Sequence, residues 1–148
     1  MTGRSNALAS YGKIANTESD PLQQLVMLYD GAMKFLRLAA DDVEKKDLVA
    51  KANHVNRALD IINYLQSILD FERGGEVAHT LDRLYSVTSM KVLRASASLD
   101  AKAMVGAANL LAPVRDSWNQ VATSDPNPVL TTPPLESSPA RLGPGVLA

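Results

Sequence analysis

Leu22 to Ala40 reads LQQLVMLYDGAMKFLRLAA, and how its apolar residues are covered decides the fold. Stepping ~100° per residue, as on a helix, places Leu22, Leu25, Val26, Tyr29, Met33 and Leu36 on one stripe. Leu28, Phe35 and Ala39 lie beside it, and Met27 and Leu38 carry the apolar surface further round. The polar sector is narrow: Gln23, Asp30, Lys34, Arg37 and Asp41. A surface helix of a small domain needs an apolar arc of only about 100°. This segment therefore demands cover from more than one side.

The flanking sequence supplies helix boundaries. Asp20 reads as an N-cap and Pro21 as a first helical residue, where proline's missing N–H costs nothing; the helix runs to about Glu44. EKKDLVAK is a short connection, with Asp47 as the next N-cap. A second helix over about 48–71 carries Val55, Leu59, Ile62 and Leu69 on one stripe and Ala58, Ile61, Leu65 and Ile68 on a neighbouring one. ERGGE is expected to stop it, with Gly74 at a left-handed C-cap position and Gly75 in the turn. A third helix, about 76–97, shows Val77, Ala78, Leu81, Leu84, Tyr85, Thr88 and Val92. Asp100 caps a fourth, in which Met104, Ala107, Ala108 and Leu111 share a side. Pro113 is expected to kink or break that helix, with a continuation through Trp118.

Four helices on short connections predict an all-α, antiparallel up-down four-helix bundle over residues 20–122. Residues 1–19 read as a flexible N-terminal arm. From Thr123 onward the chain holds six of its eight prolines, a composition expected of a disordered tail.

Composition narrows the function. The 148 residues are 46% hydrophobic and 21% charged, with 15 basic and 16 acidic residues, so no basic surface points to nucleic acid. No cysteine is present, which removes disulfides and thiolate metal sites. No long uncharged apolar run predicts a membrane span, and the start of the chain lacks a secretory signal pattern. Glu76 and His79 have the Glu-x-x-His spacing of di-iron bundles, but the second histidine, His54, has Lys51 where a glutamate would be needed. Neither histidine has the following lysine and glycine of phosphorelay bundles, and RGGE lacks the rest of a phosphate loop. The expectation is a non-enzyme without metal or cofactor. What remains is surface: the first two helices are expected to carry more apolar area than a four-helix core can hide, which suits a groove for an amphipathic partner helix.

The segments YGKIANTESDPLQQLVMLYDGAMKFLRLA, KANHVNRALDIINYLQSILDFERGGEVAHTLDRLYSV and LLAPVRDSWNQV, in this order, closely resemble the FliS family of flagellar export chaperones, over about residues 9–122. The resemblance implies a helical bundle in the bacterial cytosol. It implies that the bundle binds the disordered C-terminal segment of flagellin, prevents premature polymerisation and assists type III export, with the export gate as a further partner. It also implies an N-terminal lid over the groove. By position Tyr11 is the arm tyrosine, joined here by Ile14, and VMLYDGA supplies Met27, Leu28 and Tyr29. The residues expected to form the flagellin-binding groove are Leu28 and Phe35 on the first helix, Ile61, Ile62, Leu65 and Leu69 on the second, and Leu84, Tyr85 and Val92 on the third. A chaperone of this kind can be monomer or dimer. The alternative is a structural bundle that self-associates through the same face.

Overall fold

The computed structural model describes residues 21–124. The expected lid residues Tyr11 and Ile14, the Asp20 cap, and the arm and tail apart from Thr123 and Ser124 lie outside them. The described residues form four helices: α1, Pro21–Glu44; α2, Leu48–Ser67; α3, Phe71–Ser98; and α4, Ala101–Thr123. No strand occurs among them. α1 packs on both α2 and α4, and α3 closes the ring against the same two helices. Polar ties show the antiparallel sense. Lys51, near the start of α2, donates to Ser96 O and Oγ near the end of α3 at 3.1 and 2.9 Å. Gln66, at the end of α2, donates to Asp82 Oδ1 and Ser86 Oγ early in α3 at 2.8 and 2.9 Å.

α1 answers the opening question by position. Lying between α2 and α4, it buries Leu25, Val26, Leu28, Tyr29, Met33, Leu36, Ala39 and Ala40. Two flanking helices cover an arc that one could not, and the small residues Gly31, Ala32, Ala39 and Ala40 are all buried in that packing.

Aspartate caps start the helices. Asp47 Oδ1 accepts from Ala50 N at 3.1 Å and Asp100 Oδ1 from Ala103 N at 2.9 Å. The second boundary differs from expectation. α2 ends at Ser67, before the glycines, because Asp70 accepts from the backbone N–H groups of Glu72 and Arg73 at 3.1 and 3.0 Å and starts α3 there. Of the two glycines it is Gly75, not Gly74, that takes a positive φ (φ 52°, ψ −127°), inside α3, where it interrupts helical geometry after the first turn. At Pro113 the helix is not broken: α4 continues through the proline to Thr123. Pro113 and Asn109 are both exposed, so the carbonyl deprived of its donor faces water.

The centre of the bundle holds a polar contact. The Tyr29 and Tyr85 hydroxyls meet at 2.6 Å, from α1 to α3 across the core, with both side chains buried. Burial drives the Tyr29 pKa well above the usual phenol range, opposed by the hydrogen bond with Tyr85 and by the nearby Trp118 indole. Trp118 Nε1 is close enough to oppose that rise but has no partner in hydrogen-bonding geometry. Burial also raises Tyr85, and the adjacent Tyr29 adds to it.

Two predictions follow from this core. Tyr85→Phe leaves the Tyr29 hydroxyl buried without its partner and should cost about 1–3 kcal/mol in urea unfolding, whereas Tyr29→Phe/Tyr85→Phe should cost less than the sum of the single changes. Both phenols titrate higher in the folded state than in the unfolded one. Stability is therefore intact below the ordinary tyrosine pKa of 10.0 and falls as pH rises past it. The urea midpoint should drop above that pH, and less steeply in the double variant; equal slopes would refute the assignment. Gly75→Ala should also destabilise, by about 1–3 kcal/mol, through backbone strain alone, because an added Cβ would meet no atom within 4 Å.

Candidate partner-binding surface

The residues expected to line a groove divide into two groups. Leu28, Ile61, Ile62, Leu65, Tyr85 and Val92 are core residues. In this conformation they offer no surface, because α1 and α4 on one side and α2 and α3 on the other close over them. Phe35, Leu69 and Leu84 are half-buried and pack against the edge of that core. Phe35 is further covered by His54, stacked at 6.0 Å between ring centroids, and by the Arg57 guanidinium 5.6 Å from its centroid.

The exposed apolar residues lie elsewhere. On α3, Val87, Met90 and Leu93 are each 52% exposed, and their spacing of three aligns them along the outside of the helix. They lie opposite the buried Leu81, Tyr85, Thr88 and Val92. On α4, Val105 and Leu110 are exposed. Tyr64, Ile68 and Phe71 form a further exposed group around the α2–α3 connection, where Phe71 packs on His79 at 4.8 Å between ring centroids. Leu48 and Val49 are exposed at the start of α2.

One of these strips borders a cavity. A groove of about 650 Å³ lies between α3 and the first turn of α4, lined by Val87, Met90, Lys91, Arg94, Ala95 and Ala103 among others. It is partly open and mostly apolar. Sequence reasoning missed this strip because α3's inner face already satisfied the helical pattern. The available signal was a second apolar set at Val87, Met90 and Leu93, out of phase with the first.

Some ionisable groups elsewhere are engaged in structure. His54 Nδ1 lies 2.6 Å from Asp42 Oδ2, joining the end of α1 to α2. Arg115 makes a two-pronged pair with Asp30, at 2.7 and 3.2 Å, joining α4 to α1, and that hydrogen bond raises the Arg115 pKa. Among the described residues no group of His, Asp and Glu side chains is placed to hold a metal ion. No described helix is long and apolar enough to cross a membrane.

Fold and surface together define a class: a small antiparallel four-helix bundle that keeps apolar strips on its outside. Comparison with known proteins places the chain within that class. The family model of the flagellar protein FliS matches residues 4–125. The flagellar secretion chaperone FliS of Salmonella typhimurium is 36% identical over 105 residues, covering 70% of this chain and 78% of its own. The flagellar secretion chaperone FliSB of Pseudomonas aeruginosa is 29% identical over 106 residues, covering 72% and 84%. FliS of Bacillus subtilis is 26% identical over 120 residues, covering 81% and 89%. The chain belongs to the FliS family.

The division between core and strip is testable by stability. Ile62→Ala or Leu65→Ala should cost about 2–5 kcal/mol. Replacing Val87, Met90 and Leu93 together by Gln should leave stability within about 1 kcal/mol, because exposed positions contribute little. It should also reduce binding of a hydrophobic dye to the free protein.

Proposed function

We propose that this chain is a cytosolic flagellar export chaperone that binds the C-terminal segment of flagellin along its outer apolar strips. It keeps the segment from polymerising and presents it to the export gate. The observation that carries this reading is the exposed Val87–Met90–Leu93 strip beside an apolar groove, in a chain whose relatives are named flagellar secretion chaperones. Such a strip matches the helix-in-groove mode, in which a partner's apolar face completes a surface that water otherwise wets. Phe35, Leu69 and Leu84, which keep part of their surface, are the members of the expected groove set that a partner can still reach.

The mechanism is binding without catalysis. A polypeptide segment that cannot bury enough apolar area alone stays unfolded. Laid on the bundle, it gains that burial, and the ordering entropy is offset by contact over an extended area. The same apolar residues that would join subunits of a filament are then occupied. No nucleotide is required, because release needs only a competing site for the same segment.

The chain should co-purify with a C-terminal flagellin fragment as a stable one-to-one complex at micromolar concentration. Val87→Asp/Met90→Asp/Leu93→Asp should keep the melting temperature and lose the complex. Failure of the unmodified chain to bind any such fragment would reject the reading. A constitutive dimer in light scattering that ignores flagellin and dissociates in the triple variant would instead establish self-association through this face.

A further inference from the structure

The groove beside the strip is not only apolar. Lys91 and Arg94 line it, and neither has an ion-pair partner among the described residues. Lys91 is seated by a glycine: a Cβ at Gly106 would lie 3.1 Å from Lys91 Cε and 3.6 Å from its Nζ. The absence of a side chain at Gly106 thus lets the lysine stem cross onto α4, with its ammonium group at the groove's edge.

The carboxylates nearby are held by neutral donors rather than by Lys91 or Arg94. Asp100, the groove's one acidic lining residue, accepts from Ala103 N as the α4 cap. Asp82, on α3, accepts from Gln66. Arg83 and Lys102 are exposed on the same two helices and add to the positive side. Glu76 is eleven residues from Val87, roughly 16 Å along the helix, and so lies beyond a Debye length of about 8 Å. The groove therefore pairs an apolar floor with a rim on which two cations, Lys91 and Arg94, neither of them in an ion pair among the described residues, outnumber the single carboxylate of Asp100.

We propose that Lys91 and Arg94 select the partner. The occupant is an amphipathic helix from flagellin's C-terminal segment that carries Asp or Glu along one flank of its apolar stripe. This inference rests on the flagellin reading and adds to it a partner chemistry and the residues that read it. The apolar strip supplies contact area, whereas the two cations set which side of the partner helix faces α4. A neutral or basic apolar helix would leave both charges without a counterpart, and like charges across a contact oppose binding.

The test uses the full chain and a fluorescent C-terminal flagellin fragment. Titrations compare the unmodified protein with Lys91→Glu/Arg94→Glu and with Lys91→Gln/Arg94→Gln, which removes charge and keeps polar side chains of moderate length. Melting temperatures establish that each variant is folded. At low salt the Glu variant should bind at least about fivefold more weakly, since two exposed ion pairs are lost and replaced by repulsion. The Gln variant should fall between. The gap should close as salt is raised, and a fragment with its acidic residues changed to amides should bind all three proteins alike. If the unmodified chain binds the fragment and both folded variants match it at low salt, the selection by Lys91 and Arg94 is overturned while flagellin binding stands. If the unmodified chain binds no fragment, the flagellin reading and this inference fall together.

Discussion

The bundle depends on burying the wide apolar arc of α1. A helix with so narrow a polar sector cannot sit at the edge of a sheet of helices, since one neighbour covers roughly a third of its circumference. The chain places it between α2 and α4. The largest buried side chains then come from every element: Tyr29 and Leu36 from α1, Ile62 and Leu65 from α2, Leu81 and Val92 from α3, and Met104, Leu111 and Trp118 from α4. α1 lies at the packing centre, and the outer surface falls to the other helices.

That arrangement leaves α3 with a double character. Inward, it joins the core through Tyr85, whose hydroxyl reaches Tyr29 on the opposite helix. This polar contact is directional, so it fixes the rotation of α3 about its axis in a way that apolar packing alone does not. Outward, the same rotation presents Val87, Met90 and Leu93 to solvent and brings Lys91 over Gly106. The inner hydrogen bond and the outer binding strip are consequences of one helix orientation.

Much of this was legible from local chemistry. The helix starts at Asp47 and Asp100 follow from caps whose side chains accept backbone N–H groups within three residues. The end of α2 was less legible, because Asp70 and the Gly74–Gly75 pair offer competing boundaries and the cap at Asp70 wins by engaging two donors. Pro113 reads as a break in any local scheme; in the bundle its face is exposed and neighbouring packing through Leu111, Val114 and Trp118 holds the helix together. For the groove, a helical wheel gives each residue a face but not a neighbour. Ile61 and Ile62 both looked available because two stripes cannot be ranked without knowing which helices flank them.

The sequence by itself determined the helices, their antiparallel succession and the family, since capping, periodicity and motif order are properties of neighbours along the chain. Only the tertiary structure decided which apolar residues are core and which are surface. Burial depends on how many helices surround an element. With α1 covered on both sides, the excess apolar character that its own sequence announced is consumed inside the bundle, and the exposed strip appears on α3.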